Sequence, residues 1–143
     1  MLKGIDPALT PDLLWALAAM GHGDVIAIVD ANYPAYALHD RVIPLAGVDL
    51  HEAMAAIGAL LPIDQFVEPA VHAMTPDGEP DAQIEVHQDV AAVLAGAEGR
   101  AVPVAPLERA DFYRRAKSAF AVVLTGERRS YACFLVTKGV VVP

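Results

Sequence analysis

The chain reads as an α/β protein, a largely parallel sheet covered by helices, and three observations predict this. The run Val25-Ile26-Ala27-Ile28-Val29 is wholly apolar and rich in β-branched residues, the pattern of a strand buried on both faces. Segments with apolar residues at helical spacing lie beside such runs, opened by capping residues and closed by glycine or proline. Strands and helices alternate for most of the length, the order expected of a sheet with crossover helices.

Thr10-Pro11-Asp12 opens the first helix. Thr10 offers an N-cap oxygen, Pro11 suits the first helical position and Asp12 favours the positive helix end. The helix LLWALAAM runs to Gly21 as its C-cap, with Trp15 read as core. The strand Val25–Val29 comes next. The loop Ala31-Asn32-Tyr33-Pro34-Ala35 is expected to continue irregularly to about Arg41. A short strand, Val42–Leu45, leads to Gly47. Asp49 is the N-cap of a helix, LHEAMAAIGALL, that ends before Pro62, and Leu50, Met54, Ile57 and Leu61 mark its buried face.

Glu68 to Met74 can form a strand, and Thr75-Pro76-Asp77-Gly78-Glu79-Pro80 is the clearest surface loop. Ala82–Ala95 is a helix closed by Gly96 or Gly99, and Ala101–Ala105 is a strand. Arg109–Ala119 is a helix with a basic stripe at Arg114, Arg115 and Lys117, read as a solvated face or a subunit contact. Phe120–Thr125 and Tyr131–Val136 are strands joined by Gly126-Glu127-Arg128-Arg129-Ser130, a hairpin-like turn in which Glu127 and Arg128 read as a structural ion pair. Gly139–Pro143 follows.

The length of 143 residues fits one domain, 1–143, and 55% hydrophobic with 20% charged residues can build a core, which excludes a disordered tail. Ten basic residues against eighteen acidic ones give a net charge of −8, and phosphate binding needs a basic face, so nucleic acid is not expected as a partner. The single cysteine, Cys133, excludes an intrachain disulfide. The segment MLKGIDPALTPD has no apolar signal core, and Leu13–Met20 is too short to span a bilayer, so the expected setting is cytoplasmic with no membrane partner. High apolar content on a chain this small points to subunit contacts and hence to a homo-oligomer.

Chemistry concentrates around the first strand. Gly21-His22-Gly23-Asp24 sets an imidazole in a glycine-flanked turn before it, and Asp30 ends it. Ligands of such sheets bind at the carboxyl ends of strands, and an imidazole with a carboxylate can serve as an acid/base pair. The plainer reading stays open beside this: His22 decorates a turn whose glycines serve backbone geometry, and Asp30 caps the loop that follows. No P-loop, dinucleotide fingerprint, zinc spacing or G-x-S-x-G elbow occurs. His51 and His87 fall on helices and read as solvated faces, whereas His72 lies in a strand and can face a pocket. Tyr33 and Tyr36 can stack on a ligand face, and Tyr113 is read as packing.

The segments Met20-Gly-His-Gly-Asp24, Asp30-Ala-Asn32 and Thr125-Gly-Glu-Arg128, with the helix start Arg109-Ala110-Asp111-Phe112-Tyr113, are specific together. Over essentially its whole length the chain resembles the family of L-fucose mutarotases and D-ribose pyranases (FucU/RbsD). Arg109 brings it nearer the fucose branch, since ribose-type members carry His at that helix start. The resemblance implies a single-domain three-layer α/β/α fold of RbsD type. It implies an isomerase that interconverts the α and β anomers of a free aldose, L-fucose or a related sugar, with no metal and no organic cofactor. It also implies that His22 is the proton donor, that Asp30 and Arg109 bind sugar, and that a Tyr-Gly/Ala-Asn triplet completes the pocket. That triplet here reads Tyr131-Ala132-Cys133. Ring-shaped homo-oligomers, decamers or octamers, with pockets at subunit contacts are implied as well.

Cys133 is a departure from the family's Asn. A thiol is a weaker donor and acceptor than an amide, so a sugar hydroxyl facing it is expected to lose a good hydrogen bond, at about 1–3 kcal/mol. Opening a hemiacetal moves two protons, off the anomeric hydroxyl and onto the ring oxygen, and histidine can serve either near pH 7. Geometry complicates this. A strand rises about 3.3 Å per residue, which puts the two ends of a five-residue strand roughly 15 Å apart. Either the His22 turn folds back over the sheet or the site combines His22 of one subunit with groups of another. Two other readings stay open: pyranose/furanose interconversion as in D-ribose pyranases, against which Arg109 speaks, and a non-catalytic sugar-binding or uptake-accessory protein, which Cys133 keeps alive.

Overall fold

The computed structural model covers Met1–Pro143. Its strands are β1 (Val25–Val29), β2 (Val42–Leu45), β3 (Val71–Met74), β4 (Val104–Leu107), β5 (Ala121–Thr125) and β6 (Phe134–Thr137). Its helices are α1 (Pro11–Ala19), α2 (Ala35–Leu38), α3 (Leu50–Gly58), α4 (Glu85–Glu98) and α5 (Arg109–Ala116). The strands form one sheet in the order β2-β5-β1-β6-β3-β4. β1 runs parallel to β5, with Ile26 opposite Ala121, and antiparallel to β6, with Ile28 opposite Phe134. The pairs β2–β5 and β3–β4 are parallel and β3–β6 is antiparallel, so β6 alone runs against the other five.

This corrects the hairpin reading of β5 and β6. The two strands never pair; β1 lies between them, and the segment joining them passes over the end of β1. Buried strands carry no alternation that would reveal which neighbour they prefer, so adjacency in sequence was a poor guide.

Side chains of β1 alternate between two apolar layers. Ile26 and Ile28 join Leu13 of α1, Met54 of α3 and Val90 of α4 on one face. Ala27 and Val29 join Phe112 and Ala116 of α5 on the other, together with Tyr33 and Ala35. Helices thus cover both faces, as the three-layer expectation required. Each such Leu, Ile or Phe contributes about 1.5–3 kcal/mol through burial. No helix is long and apolar enough to cross a membrane.

Thr10 caps α1 by accepting from Leu13 N–H at 3.3 Å, and Asp49 caps α3 by accepting from Glu52 N–H at 2.8 Å. Several boundaries move. α1 closes on Met20 rather than Gly21, because Lys138 Nζ donates to the carbonyls of Leu17 (2.7 Å) and Met20 (2.6 Å) and satisfies the helix end without a left-handed residue. The loop after β1 contains the short helix α2. α3 ends at Gly58, although a turn bond continues from Leu61 N–H to Ile57 O at 2.8 Å. α4 starts at Glu85 and closes on Gly99, whose φ of 69° a glycine adopts freely. β4 begins after Pro103, which has no N–H to give the sheet. α5 ends at Ala116, before Ala119. Trp15 is 55% exposed rather than core, and the Arg41 guanidinium lies 5.0 Å from its ring centre.

Candidate functional site

Asp30, Asn32, Tyr33, Met74, Arg109, Tyr113, Ser130, Tyr131 and Cys133 line an open cavity of about 190 Å³. It lies at the carboxyl ends of β1 and β3 and the start of β6. A larger groove of about 290 Å³ runs beside α4 and β4, but no charged residue lines it.

Asp30 stands one residue past β1 and is buried. Its Oδ1 accepts the Asn32 N–H at 2.9 Å and its Oδ2 accepts the Cys133 thiol at 3.4 Å. Burial pushes the Cys133 thiol up, and the negative Asp30 beside it adds to this, so Cys133 stays a protonated donor. At 2% exposure it lines the cavity with its sulfur held against Asp30. Ala132, between it and Tyr131, is fully buried and does not line the cavity.

Arg109 opens α5, and its guanidinium meets Asp77 Oδ2 at 3.0 Å. The Asp77 N–H donates to the Tyr131 phenol oxygen at 3.4 Å. Asp77, read only as part of a surface loop, therefore joins two side chains of the cavity rim. Tyr131 is the one non-glycine residue with positive φ, at 58°, a conformation that needs support from its surroundings. Part of that support is His87, whose Nε2–H donates to the Tyr131 carbonyl at 3.0 Å. His87 is buried against Phe134, and burial pulls its pKa below the usual histidine value against backbone hydrogen bonds that raise it. This corrects its reading as a solvated face. His87, Val90 and Leu94 share one helical stripe, and that spacing was the available signal.

Glu127 ties the same loop to the rest of the fold. Its carboxylate accepts the N–H groups of Arg128 (2.9 Å), Arg129 (2.8 Å) and Leu50 (3.4 Å). Its ion pair is with Arg129 at 3.0 Å, not with Arg128, because only Arg129 turns back between Glu127 and Asp89. The Arg129 hydrogen bond pulls the Glu127 carboxyl down to about 2 against the opposing effect of burial. Thr125 Oγ1 donates to Val29 O at 2.7 Å, fixing the end of β5 to the end of β1 beside Asp30.

His22 lies at the other end of β1. Gly23, with φ 87°, donates to Lys138 O at 2.9 Å, and Asp24 Oδ2 accepts the Gly21 N–H at 2.7 Å to close the turn. The imidazole Nε2 stands 3.1 Å from Asp64 Oδ1, and the Phe66 ring centre lies 5.3 Å away. Asp64 is buried, and its Oδ2 has no hydrogen-bond partner in the chain. Burial alone would raise the Asp64 carboxyl, but hydrogen bonds from Phe66 N–H and His22 hold it below the usual carboxylate range. Gly139 lets the chain pass close by: a Cβ there would sit 2.7 Å from Asp64 Cα. Nothing in sequence pattern singled out Asp64.

One chain thus gathers Asp30, Arg109, Tyr131 and Cys133, and leaves His22 apart from them. Tyr33 and Tyr113 line the cavity, so Tyr113 does more than pack, while Tyr36 and His72 do not line it. His51 is exposed on α3. Chemically the cavity offers an acceptor carboxylate, a guanidinium, phenols and aromatic faces, a set suited to a neutral polyhydroxyl ligand. The His22–Asp64 pair is suited to proton transfer.

The model of the RbsD / FucU transport protein family matches residues 3–141. An L-fucose mutarotase of Glaesserella parasuis serovar 5 is 43% identical over 140 residues, 98% of this chain and 96% of that protein. The fucose mutarotase from Streptococcus pneumoniae, solved in complex with L-fucose, superposes with a TM-score of 0.90 at 36% identity over 99% of this chain and all of that one (100%). FucU from Bifidobacterium longum superposes with a TM-score of 0.91 at 31% identity over 98% of this chain and 100% of the other.

Proposed function

The chain belongs to the RbsD / FucU transport protein family, and from that premise we propose that it is an isomerase, an aldose mutarotase acting on L-fucose. The observation that carries this reading is the cavity in which Asp30, Arg109 and Tyr131 meet. Their polar groups can bond sugar hydroxyls while Tyr33 and Tyr113 pack against a C–H face. The names of relatives near 40% identity over nearly the full length support the same substrate.

In the reaction, the anomeric hydroxyl gives up its proton as the bond from C1 to the ring oxygen opens, and the ring oxygen takes one. The open aldehyde turns about C1–C2 and recloses on either face, the protons returning. His22 carries the proton to and from the sugar, with Asp64 orienting its ring. Asp30 accepts from sugar hydroxyls and Arg109 donates to them.

In this proposal His22 serves the cavity of a second copy of the chain. The separation of His22 from Asp30 along β1 supports this, as do the exposed Phe66 and Val67 beside His22, apolar surface suited to a subunit contact. The functional unit is then a homo-oligomer with sites shared between copies.

The test is exchange NMR on the anomeric protons of L-fucose with and without protein. Accelerated α/β exchange is expected, lost by roughly 10²-fold or more in His22→Ala. Binding without acceleration would replace the enzyme reading with the sugar-binding accessory one. Acceleration for D-ribose alone would favour the pyranase reading.

A further inference from the structure

Tyr33 connects the cavity to a second hollow behind it. Its ring is buried, nearly parallel to Tyr113 (centres 5.4 Å apart, 30°), and meets Phe112 edge-on at 6.0 Å. Its hydroxyl lies 2.8 Å from Nε2 of His39, whose ring is 5.7 Å away at 23°. His39 is the C-cap of α2 and borders a hollow of about 260 Å³ with Asp40, Arg41 and Lys117. A buried phenol requires a partner, and here the partner is an imidazole nitrogen. The phenol has one proton to give, and a neutral imidazole has one lone pair to receive it.

We propose that His39 is a positioning residue for the sugar site: by accepting the Tyr33 phenol proton it holds the Tyr33–Tyr113 stack as the aromatic wall against which the sugar's C–H face packs. The inference rests on the mutarotase reading above. It is specific to the neutral imidazole, because an imidazolium has two donors and no lone pair. Burial pulls His39 below the usual histidine value while Asp40 opposes this. Burial pushes the Tyr33 phenol above its ordinary range, with smaller contributions from Cys133 and Tyr113, so it remains a donor throughout. The accepting state is thus present at pH 7; on acidification Nε2–H becomes a donor to the phenol oxygen, the buried phenol proton loses its acceptor and the wall is held less well.

The experiment measures L-fucose anomer exchange from pH 5 to 8 for the native protein, His39→Gln, His39→Phe and Tyr33→Phe, with the His39 ring protons followed by NMR. At pH 7.5, His39→Phe and Tyr33→Phe are expected to raise KM about three- to tenfold, the effect of one lost buried hydrogen bond, with kcat within about twofold. His39→Gln retains an acceptor oxygen; its KM should stay within about twofold of native and lack the acid-side rise that the native protein shows. A native KM in His39→Phe overturns the proposal. So does an equal rise in His39→Gln and His39→Phe, which would show that restoring an acceptor at this position does not restore the site. A native protein that leaves L-fucose exchange unchanged at every pH overturns the mutarotase reading instead. The contact itself is then judged by the His39 titration, which Tyr33→Phe should move to higher pH.

Discussion

The imidazole of His22 and the carboxylate of Asp64 stand 3.1 Å apart at the end of β1 farthest from the cavity. Phe66 N–H shares the same carboxylate oxygen at 3.2 Å, so the carboxylate is held while the imidazole, 45% exposed, remains reachable. Asp64→Asn keeps the size and an acceptor but removes the charge that supports an imidazolium. It is expected to lower kcat for anomer exchange about tenfold with KM little changed. A full native kcat would mean that His22 works without Asp64.

Glu127 provides a stability test. Its folded value of about 2 lies below the ordinary 4.5 of an exposed glutamate. Its contribution is therefore complete above the ordinary value and disappears as pH falls through the folded one. At pH 7, Glu127→Gln is expected to cost about 3 kcal/mol, or about 10 °C in Tm. Melting curves taken between pH 7 and 2 should show the native and variant proteins converging below pH 4.5. A gap that stays constant to pH 2 would assign the loss to packing instead.

Cys133 should be inert in the folded protein, since a buried protonated thiol beside a carboxylate is a poor nucleophile. A disulfide reagent at pH 8 is expected to titrate less than about 0.1 thiol per chain before unfolding and one after it. Rapid native labelling would contradict the Cys133–Asp30 contact.

Asp77 links Arg109 and Tyr131 from an exposed loop. Both ends of the ion pair are about half exposed, so Asp77→Asn should change Tm by no more than about 2 °C. The rim would nevertheless lose its order, and KM for L-fucose is expected to rise about two- to fivefold. Raising ionic strength should reproduce part of that rise in the native protein and none of it in the variant.

Local features were legible before the fold was known. Val25–Val29 and Val42–Leu45 appear as strands with those bounds, Thr10 and Asp49 cap the helices they were expected to cap, and Arg109 opens α5. Each rests on contacts between near neighbours, where residue type decides. Relations across the chain were not legible. Trp15 reads as core because it sits among leucines and alanines, yet it is 55% exposed, and its ring neighbours Arg41 and Phe120 are both distant in sequence. Asp64 carries no motif, and its partner His22 is 42 residues away.

By itself the sequence determined the fold class, the caps and strand runs, and a set of residues whose chemistry suits a sugar. Short-range sterics, hydrogen bonding and apolar patterning act within a few residues and leave their mark in residue order. Tertiary structure alone decided that β1 enters between β5 and β6, which carries Tyr131 and Cys133 to Asp30. It also decided that His22 sits at the opposite end of β1 with Asp64 for company. Those outcomes come from pairing buried strands that look alike in sequence, where only the packing of the whole sheet distinguishes one neighbour from another.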